Sequence, residues 1–382
     1  MPQKANDSPD KVRHFQRTLY QTAKRNPKRR FHALYDKVCR PDVLKRAWGE
    51  VRANRGQGGV DQQTIEEIEE KIGVEAFLKQ IREELRESRY RPLPVRRVEI
   101  PKAQGGTRPL GIPVIRDRVV QGACRIVVEP IFEADFLETS FGFRPKRSAH
   151  QAHREIKQTI NQGYNWVMDG DIARYFDSID QRKLMILLHL RISDRKVLRL
   201  IWRWLRAGVM TEGKFAPTEK GTPQGGVISP LLSNIYLHFL DREWQRAHKH
   251  QGKLIRYADD FVILCRNLPA VQQARKAIQG LLERLGLILH PEKTRIVDLN
   301  RGKEGFNFLG FHFHKCASWK YPGKYYCLSW PSANAMKRIC QKIKTIAVDR
   351  RRLLCPIESL VETLNPIIRG WVNYFRVGNS SR

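Results

Sequence analysis

The chain has 382 residues, which suggests about two or three packed units with a sizeable core. Lysine and arginine number 70 against 39 aspartates and glutamates, so the net charge of +31 indicates a polyanionic partner, either nucleic acid or an acidic membrane surface, and argues against a small uncharged substrate. Because 41% of the residues are hydrophobic, the charge belongs to a folded protein and not to a disordered polycationic tail.

The cysteines and histidines suggest no disulfide framework and no zinc site. The seven cysteines are scattered without a CxxC pair, which is typical of reduced thiols in a cytosolic protein. His312, His314 and Cys316 alternate along one stretch without a familiar zinc spacing, so we interpret them as the rim of a strand. No stretch approaches the roughly 18–20 apolar residues of a membrane span, and the N-terminus has no apolar signal core. We expect a soluble, cytoplasmic protein without a membrane partner.

The first third of the chain predicts an arm, a helix and a hairpin. Residues 1–30 are polar and end in a basic run, as expected of a loosely ordered basic arm. Residues 64–89 have a helical composition, and the predicted helix ends before Pro92. In residues 95–100 β-branched side chains alternate with charged ones, and a glycine turn leads into a second short strand that ends at Ile112. These two strands form a basic hairpin.

The middle third mixes helical and strand periods, which predicts an α+β or α/β architecture. Asp180 is placed to cap a helix, and Ser229 followed by Pro230 is a specific helix start. The predicted elements are a strand at 164–172, helices at 181–190 and 230–244, strands at 253–256 and 261–264 around a four-residue turn, a helix at 271–285 and a strand at 308–313.

The composition changes at about His314. Residues 314–382 hold thirteen lysines or arginines against three acidic residues, which suggests a separate basic helical module. Its last helix is predicted to start at Asn365 and Pro366, a cap followed by a proline.

Three carboxylates stand out as candidates for chemistry. Asp259 and Asp260 lie between two apolar strands, and adjacent carboxylates there could hold Mg²⁺, although Asp is also a common turn residue. A third acid at the end of strand 164–172 could join them if the strands are neighbours. Asp169 and Asp171 are both candidates, because the two-residue alternation of a strand puts them on the same face. Three carboxylates around two metals form a clamp for in-line phosphoryl displacement.

Nine motifs, in chain order, resemble those of group II intron-encoded reverse transcriptases, and the resemblance spans about residues 31–376. The residues that carry it are Ile100-Pro101-Lys102 with Gly106 to Pro113, Ser140-Phe141-Gly142-Phe143-Arg144-Pro145, Asp171-Ile172 with Phe176-Asp177, Gly221-Thr222-Pro223-Gln224-Gly225-Gly226, Ser229-Pro230-Leu231-Leu232-Ser233-Asn234, Tyr257-Ala258-Asp259-Asp260, Leu285-Gly286-Leu287 with Glu292-Lys293-Thr294, Phe308-Leu309-Gly310-Phe311 and Arg369-Gly370-Trp371-Val372-Asn373-Tyr374-Phe375.

The resemblance implies an α+β right-hand polymerase. It places fingers and an antiparallel palm sheet packed on helices in residues 31–313, and an α-helical thumb or maturase domain in residues 314–382. We expect that thumb to be incomplete and an endonuclease domain to be lacking. The resemblance also selects Asp171 over Asp169, and implies that Asp171, Asp259 and Asp260 hold two Mg²⁺ ions, with Mn²⁺ as a substitute.

The resemblance implies further roles around the incoming nucleotide. Lys102 and Arg108 match residues that grip the triphosphate, which suits charge-assisted contacts from a basic hairpin. Phe176 matches the ring that blocks a ribose 2′-hydroxyl, and its alternative is an ordinary core residue. Gln224 matches the residue that lies against the nascent base pair.

Three more residues are assigned to primer and template. Tyr257 matches a residue that faces the primer terminus. Arg144 is expected to contact template or to stabilise the fingers. Lys293 matches a lysine suggested as proton donor to pyrophosphate, and its alternative is a solvated lysine at a helix end.

The predicted function is therefore that of an RNA-directed DNA polymerase of group II intron origin in a bacterial cytoplasm. Its partners would be an RNA template, a DNA or RNA primer, dNTPs and intron RNA. One alternative is a maturase that acts mainly as an RNA-binding splicing factor. Another is a domesticated reverse transcriptase that serves phage defence or repair.

Overall fold

The computed structural model describes residues 8–101, 106–348 and 356–377. The helices are α1 (Ser8–Arg25), α2 (Tyr35–Val38), α3 (Pro41–Ala53), α4 (Ile65–Glu67), α5 (Val74–Arg86), α6 (Ile115–Glu133), α7 (Ala149–Asn161), α8 (Tyr175–Ser178), α9 (Gln181–His189), α10 (Arg195–Leu205), α11 (Ser229–Glu243), α12 (Leu268–Leu285), α13 (Ala333–Ala347) and α14 (Ile357–Phe375). The strands are β1 (Val95–Pro101), β2 (Thr107–Ile112), β3 (Trp166–Gly170), β4 (Val209–Thr211), β5 (Lys214–Ala216), β6 (Lys253–Tyr257), β7 (Asp260–Cys265), β8 (Arg295–Asp298), β9 (Gly305–Phe308), β10 (Phe311–Ala317) and β11 (Tyr325–Pro331). Helices and strands are intermixed along the chain, as the sequence predicts.

The chain divides into two compact units, each built from three segments. Unit 1 comprises Met1–Glu138, Ile172–Arg242 and Leu281–Ile288, and unit 2 comprises Thr139–Asp171, Glu243–Gly280 and Leu289–Arg382. Among the helices that the structure describes, none has both the length and the apolar character needed to span a bilayer.

Unit 1 is organised around α6, which is buried along most of its length. Such a helix must be covered on all sides, and α1, α2 and α3 all pack against it. Its buried polar residue Asp117 accepts hydrogen bonds from the Tyr90 hydroxyl (2.7 Å) and the Leu93 amide (2.9 Å). The helix therefore fixes the segment that leads into the β1–β2 hairpin.

The N-terminal arm is helical from Ser8 to Arg25, so the predicted loose arm is wrong for that stretch. Val12 and Ala23 are buried, Gln16 donates to the Ile126 carbonyl (3.1 Å) and Lys24 donates to the Ala134 carbonyl (2.9 Å). Apolar residues at helical spacing give the arm a face to bury, and Lys24 adds a polar contact to the residue that follows α6.

The helix predicted at residues 64–89 forms with a break. Thr64 makes a capping box with Glu67, and Gly73 interrupts the helix in a left-handed conformation (φ 83°) before α5 begins. The predicted basic hairpin is confirmed: β1 and β2 pair antiparallel from Arg96 opposite Ile112 to Pro101 opposite Thr107. The sheet of unit 1 has the order β2-β1-β4-β5.

Unit 2 contains two sheets. The first has the order β6-β7-β3-β8 and is antiparallel throughout, and the second has the order β11-β10-β9. Helices α7 and α14 join both sheets to one apolar core, in which Phe311 contacts Phe313, Tyr374 and Phe375. The acidic end of this first sheet carries the candidate site.

Three predictions in unit 2 are corrected. The single strand predicted at 308–313 is a tight hairpin, because Leu309 (φ 50°) and Gly310 (φ 81°) adopt left-handed conformations between β9 and β10. The helical module predicted from His314 begins only at Ala333, since residues 311–331 form β10, a loop and β11. The last helix begins at Ile357 and runs through Pro366.

Candidate active site

Asp259 and Asp260 lie at the tip of the β6–β7 hairpin in unit 2. Tyr257 pairs with Asp260, so the turn has two residues and not the four predicted, and Asp260 begins β7. Ala258 adopts a left-handed conformation (φ 58°), as such short turns require. This tight turn presents the two carboxylates side by side.

Asp171 lies next to this turn because β3 and β7 are neighbours. Gly170 is opposite Phe261 in the antiparallel ladder, and one further step of that register places Asp171 opposite Asp260. A side chain at Gly170 would put its Cβ 2.4 Å from the Phe261 ring, so glycine is needed for the strands to pair here. The His290 amide donates to the Asp171 carbonyl at 2.7 Å and fixes the chain just after the strand.

The clustered carboxylates disturb one another electrostatically. Desolvation by the surrounding protein, together with repulsion from Asp259, Asp171 and Asp169, raises the pKa of Asp260 to about 7, although the residue itself reaches solvent. Burial raises the pKa of Asp169 to about 6, and the guanidinium of Arg295 opposes that rise. A site that resists its own ionisation in this way has a deficit of positive charge.

Two basic side chains partly compensate. The Lys293 ammonium lies 2.9 Å from Asp171 Oδ2, and Arg295 Nε lies 3.4 Å from Asp169 Oδ2. In residues 8–101, 106–348 and 356–377, no group of three or more His, Cys, Asp or Glu side chains is gathered tightly enough to hold a metal ion by itself. Mg²⁺ is usually bound by one or two carboxylates together with water and substrate phosphates. The hard oxygen donors and the uncompensated charge of the cluster fit such a shared site.

The loop at residues 139–144 supports the hairpin from one side. Phe141 donates its amide to the Arg256 carbonyl, and Arg256 donates its own to the Thr139 carbonyl, both at 2.9 Å. At Gly142 a Cβ would lie 2.2 Å from the Ala258 nitrogen, so the loop backbone packs directly on the turn. Arg256 is fully buried and donates to the Ala258 carbonyl at 2.8 Å. Sequence reasoning missed this supporting arginine, because it reads as an ordinary charged position in a strand.

The other residues that the sequence assigns to unit 2 have varied surroundings. Arg144 is buried and donates to the Ser140 carbonyl at 2.6 Å, a contact that fits the stabilising role better than template contact. Tyr257 is half-buried and packs against the apolar core of unit 2. His314 and Cys316 lie on β10 with 3.6 Å between Nδ1 and Sγ.

The residues predicted to contact the nucleotide lie in unit 1. Arg108 on β2 donates through Nε to Gln224 Oε1 at 2.7 Å, and the Gly111 amide donates to the Gln224 carbonyl at 2.6 Å. The structure thus brings these two predicted residues together. Phe176 is buried and its carbonyl accepts from the Thr222 amide at 2.9 Å. Lys102 lies outside the described residues.

Comparisons with known proteins agree with this layout. Residues 100–313 match the family described as reverse transcriptase (RNA-dependent DNA polymerase), and residues 336–382 match the group II intron, maturase-specific domain. Protein YkfC of Escherichia coli (strain K12) is 38% identical over 337 residues, covering 78% of this chain and 87% of YkfC. Group II intron-encoded protein LtrA of Lactococcus lactis subsp. cremoris is 42% identical over 216 residues, covering 56% of this chain and 35% of LtrA.

A solved structure, the partial Cas6-RT-Cas1--Cas2 complex, contains a chain that is 26% identical with a TM-score of 0.40. The match covers 70% of this chain and 44% of that one. The present chain therefore spans most of YkfC, about a third of LtrA and under half of the chain in that complex.

Proposed function

The chain belongs to the reverse transcriptase family of RNA-directed DNA polymerases and carries a group II intron maturase-specific region, and from this premise we propose that it extends a primer on an RNA template by two-metal nucleotidyl transfer. Asp171, Asp259 and Asp260 would hold two Mg²⁺ ions, for which Mn²⁺ can substitute. When bound, these ions would activate the primer 3′-hydroxyl and stabilise the leaving pyrophosphate.

The observation that carries this proposal is the acidic end of the β6-β7-β3-β8 sheet. Four carboxylates lie there near two basic side chains, and desolvation together with repulsion from the neighbouring carboxylates raises the pKa of Asp260 to about 7. Such a cluster destabilises the free protein, which is typical of a site whose charge is completed by a ligand.

Residues of unit 1 would bind and select the nucleotide. Arg108 would exchange its hydrogen bond with Gln224 for the triphosphate, because a phosphate oxygen accepts a stronger, charge-assisted bond than an amide oxygen does. Lys102 would hold the same triphosphate. Gln224 would lie against the nascent base pair, and the ring of Phe176 would exclude a ribose 2′-hydroxyl and so select dNTPs.

Residues of unit 2 would position the primer and handle the proton. Lys293 would leave Asp171 when the site is loaded, and its ammonium could then protonate the departing pyrophosphate. Tyr257 would face the primer terminus. Arg144 would contact the template or, through its hydrogen bond to Ser140, hold the loop on which the hairpin rests.

We assign residues 31–313 to fingers and palm, residues 314–382 to a thumb or maturase domain, and residues 1–30 to a basic arm. The match of residues 336–382 to the maturase-specific domain supports intron RNA as a partner. The net charge of +31 supports association with nucleic acid, and we place the protein in the bacterial cytoplasm.

Primer extension on an RNA template with dNTPs and Mg²⁺ tests the activity. Asp259→Ala should abolish extension, since it removes a carboxylate from the turn. The control is Asp298→Asn, which changes a carboxylate on β8, opposite Trp166 at the start of β3 and away from the hairpin tip, and should leave extension within about twofold. Equal extension by wild type and Asp259→Ala would refute the assignment of the site.

A second candidate function is that of a splicing factor, favoured by the same maturase-specific match. In that case the double substitution of Asp259 and Asp260 by alanine should leave intron splicing unchanged while extension is lost. Loss of both activities would instead make the acidic cluster a requirement for the fold of unit 2, which circular dichroism would reveal.

A further inference from the structure

A cavity of about 630 Å³ opens in unit 1 between the segment that carries α2 and the start of α3, on one side, and helices α5 and α10 on the other. Its volume is in the range of small-ligand sites. Its lining is strongly basic, with five cationic side chains against two carboxylates. The cationic residues are Arg40, Arg82, Arg86, Arg195 and Lys196.

Neither carboxylate of the cavity neutralises these cations by a direct ion pair. Asp194 is occupied by backbone amides: Oδ2 accepts from Leu34 and Tyr35, each at 2.8 Å, and Oδ1 caps the start of α10. Asp36 pairs with Lys37 at 2.5 Å. Both acids therefore serve the local fold.

Most of the cations have no acidic partner. Arg40 pairs with Asp42, whereas Arg82, Arg86 and Arg195 form no ion pair with any described residue. The Nε of Arg82 is buried without a hydrogen-bond partner, although buried polar atoms are nearly always satisfied.

Lys196 and Cys39 also line the cavity. Lys196 lies over the Tyr35 ring at 5.4 Å, which leaves its ammonium able to donate. Burial raises the pKa of the Cys39 thiol to about 11, so this residue adds no negative charge at neutral pH. The cavity thus offers mainly hydrogen-bond donors and positive charge, which favours an anionic ligand.

We propose that this cavity binds a phosphate group of a nucleic-acid backbone through Arg82 and Arg86 of α5 and Arg195 and Lys196 of α10. Guanidinium groups recognise phosphate by paired, charge-assisted hydrogen bonds, and cations from two helices that line one cavity can bind one such group together. This inference rests on the proposed function for the nucleic-acid source of the phosphate. A free polyphosphate has the same chemistry and is the competing source.

The first test measures binding of a fluorescein-labelled oligouridylate by anisotropy between about 50 and 200 mM NaCl, a range in which phosphate contacts dominate the salt dependence. The variant Arg82→Gln with Arg86→Gln should reduce the magnitude of the slope of log K against log salt by up to about 0.7, as the loss of one single-strand phosphate contact requires. Arg195→Gln with Lys196→Gln, on α10, should have the same effect and guards against a local folding defect in α5.

The matched control is Lys45→Gln with Lys79→Gln, which removes two exposed charges from the same unit outside the cavity. Its slope should stay close to that of the wild type. An equal fall in slope for the control and for both cavity variants would overturn the proposal, because the loss would then follow total charge. An unchanged slope in both cavity variants would overturn it as well.

Titration with inorganic pyrophosphate separates the two sources. Saturable pyrophosphate binding that the cavity variants lose, with unchanged oligonucleotide binding, would overturn the nucleic-acid source in favour of a free polyphosphate. Primer extension is measured in parallel, and its absence in the wild type would refute the proposed function while leaving the cavity result intact.

Discussion

His153 makes the stability of unit 2 sensitive to mild acid. Its side chain is buried between Phe311 and Phe313, with ring centroids 4.5 and 5.0 Å away, and Nε2 lies 2.7 Å from Ser329 Oγ. The buried Nδ1 has no hydrogen-bond partner. A second proton on the ring would create a buried imidazolium whose Nδ1–H has no acceptor. Burial accordingly lowers the pKa of His153 from 6.5 to about 4.

The sign follows from proton binding. Between pH 6.5 and 4 the unfolded chain binds a proton at this histidine and the folded chain does not, so the free energy of unfolding falls as the pH falls. With these two pKa values, lowering the pH from 7 to 5 costs about 2 kcal/mol. Gln in place of His153 can donate to Ser329 from nearly the same position and does not titrate.

Urea unfolding of wild type and His153→Gln at pH 7 and pH 5 measures this effect. The wild type should lose about 2 kcal/mol more than the variant between the two pH values. Groups such as Asp117, whose pKa burial raises to about 6, contribute equally to both proteins and cancel in the difference. His250→Gln, at an exposed histidine, is the control and should follow the wild type. If the free energies that wild type and His153→Gln lose between pH 7 and pH 5 differ by less than about 0.5 kcal/mol, the reasoning is wrong.

Two further substitutions test packing and selectivity. Gly170→Ala should destabilise unit 2 by about 1–3 kcal/mol, because its Cβ would lie 2.4 Å from the fully buried Phe261 ring. Thermal unfolding of this variant should show a lower Tm, and primer extension should be slower. The control is Gly280→Ala in α12, which should not destabilise the protein because a Cβ there meets nothing within 4 Å. Phe176→Ala should admit ribonucleotides in a primer-extension assay with NTPs, and continued rejection of NTPs by an active variant would show that the ring is not the barrier.

Local patterns predicted those elements whose ends are marked by side chains. Asp180 caps α9 by accepting from the Arg182 and Lys183 amides, and Ser229 begins α11, both as expected. The hairpin at Leu309 and Gly310 escaped prediction, because apolar residues continue on both sides of the turn and hide the reversal. Pro366 misled for the opposite reason: a strong start signal lies inside a helix that begins earlier.

The candidate site was predictable in its acids and not in its supports. Asp259 and Asp260 stand out because two carboxylates interrupt an apolar stretch. Arg256 and Gly170 matter only through partners that are distant in sequence, the loop at residues 139–144 and the ring of Phe261. No local period encodes such contacts, since tertiary packing alone brings the segments together.

Asp169 and Asp171 differ in their position relative to the sheet, although the two-residue alternation of a strand does not distinguish them. In an extended chain, side chains two residues apart point the same way, so alternation does not distinguish Asp169 on β3 from Asp171 just beyond its end. Asp169 lies within the ladder, opposite Val262 and Arg295, and its carboxylate contacts the Arg295 guanidinium. Asp171 lies one residue beyond the last ladder pair, on the same edge as the hairpin tip, and its partner Lys293 is exposed and free to move away. Because Mg²⁺ is shared between carboxylates and substrate phosphates, its ligands must lie where a substrate can approach, and we propose Asp171 for this role on the ground of its position beyond the ladder.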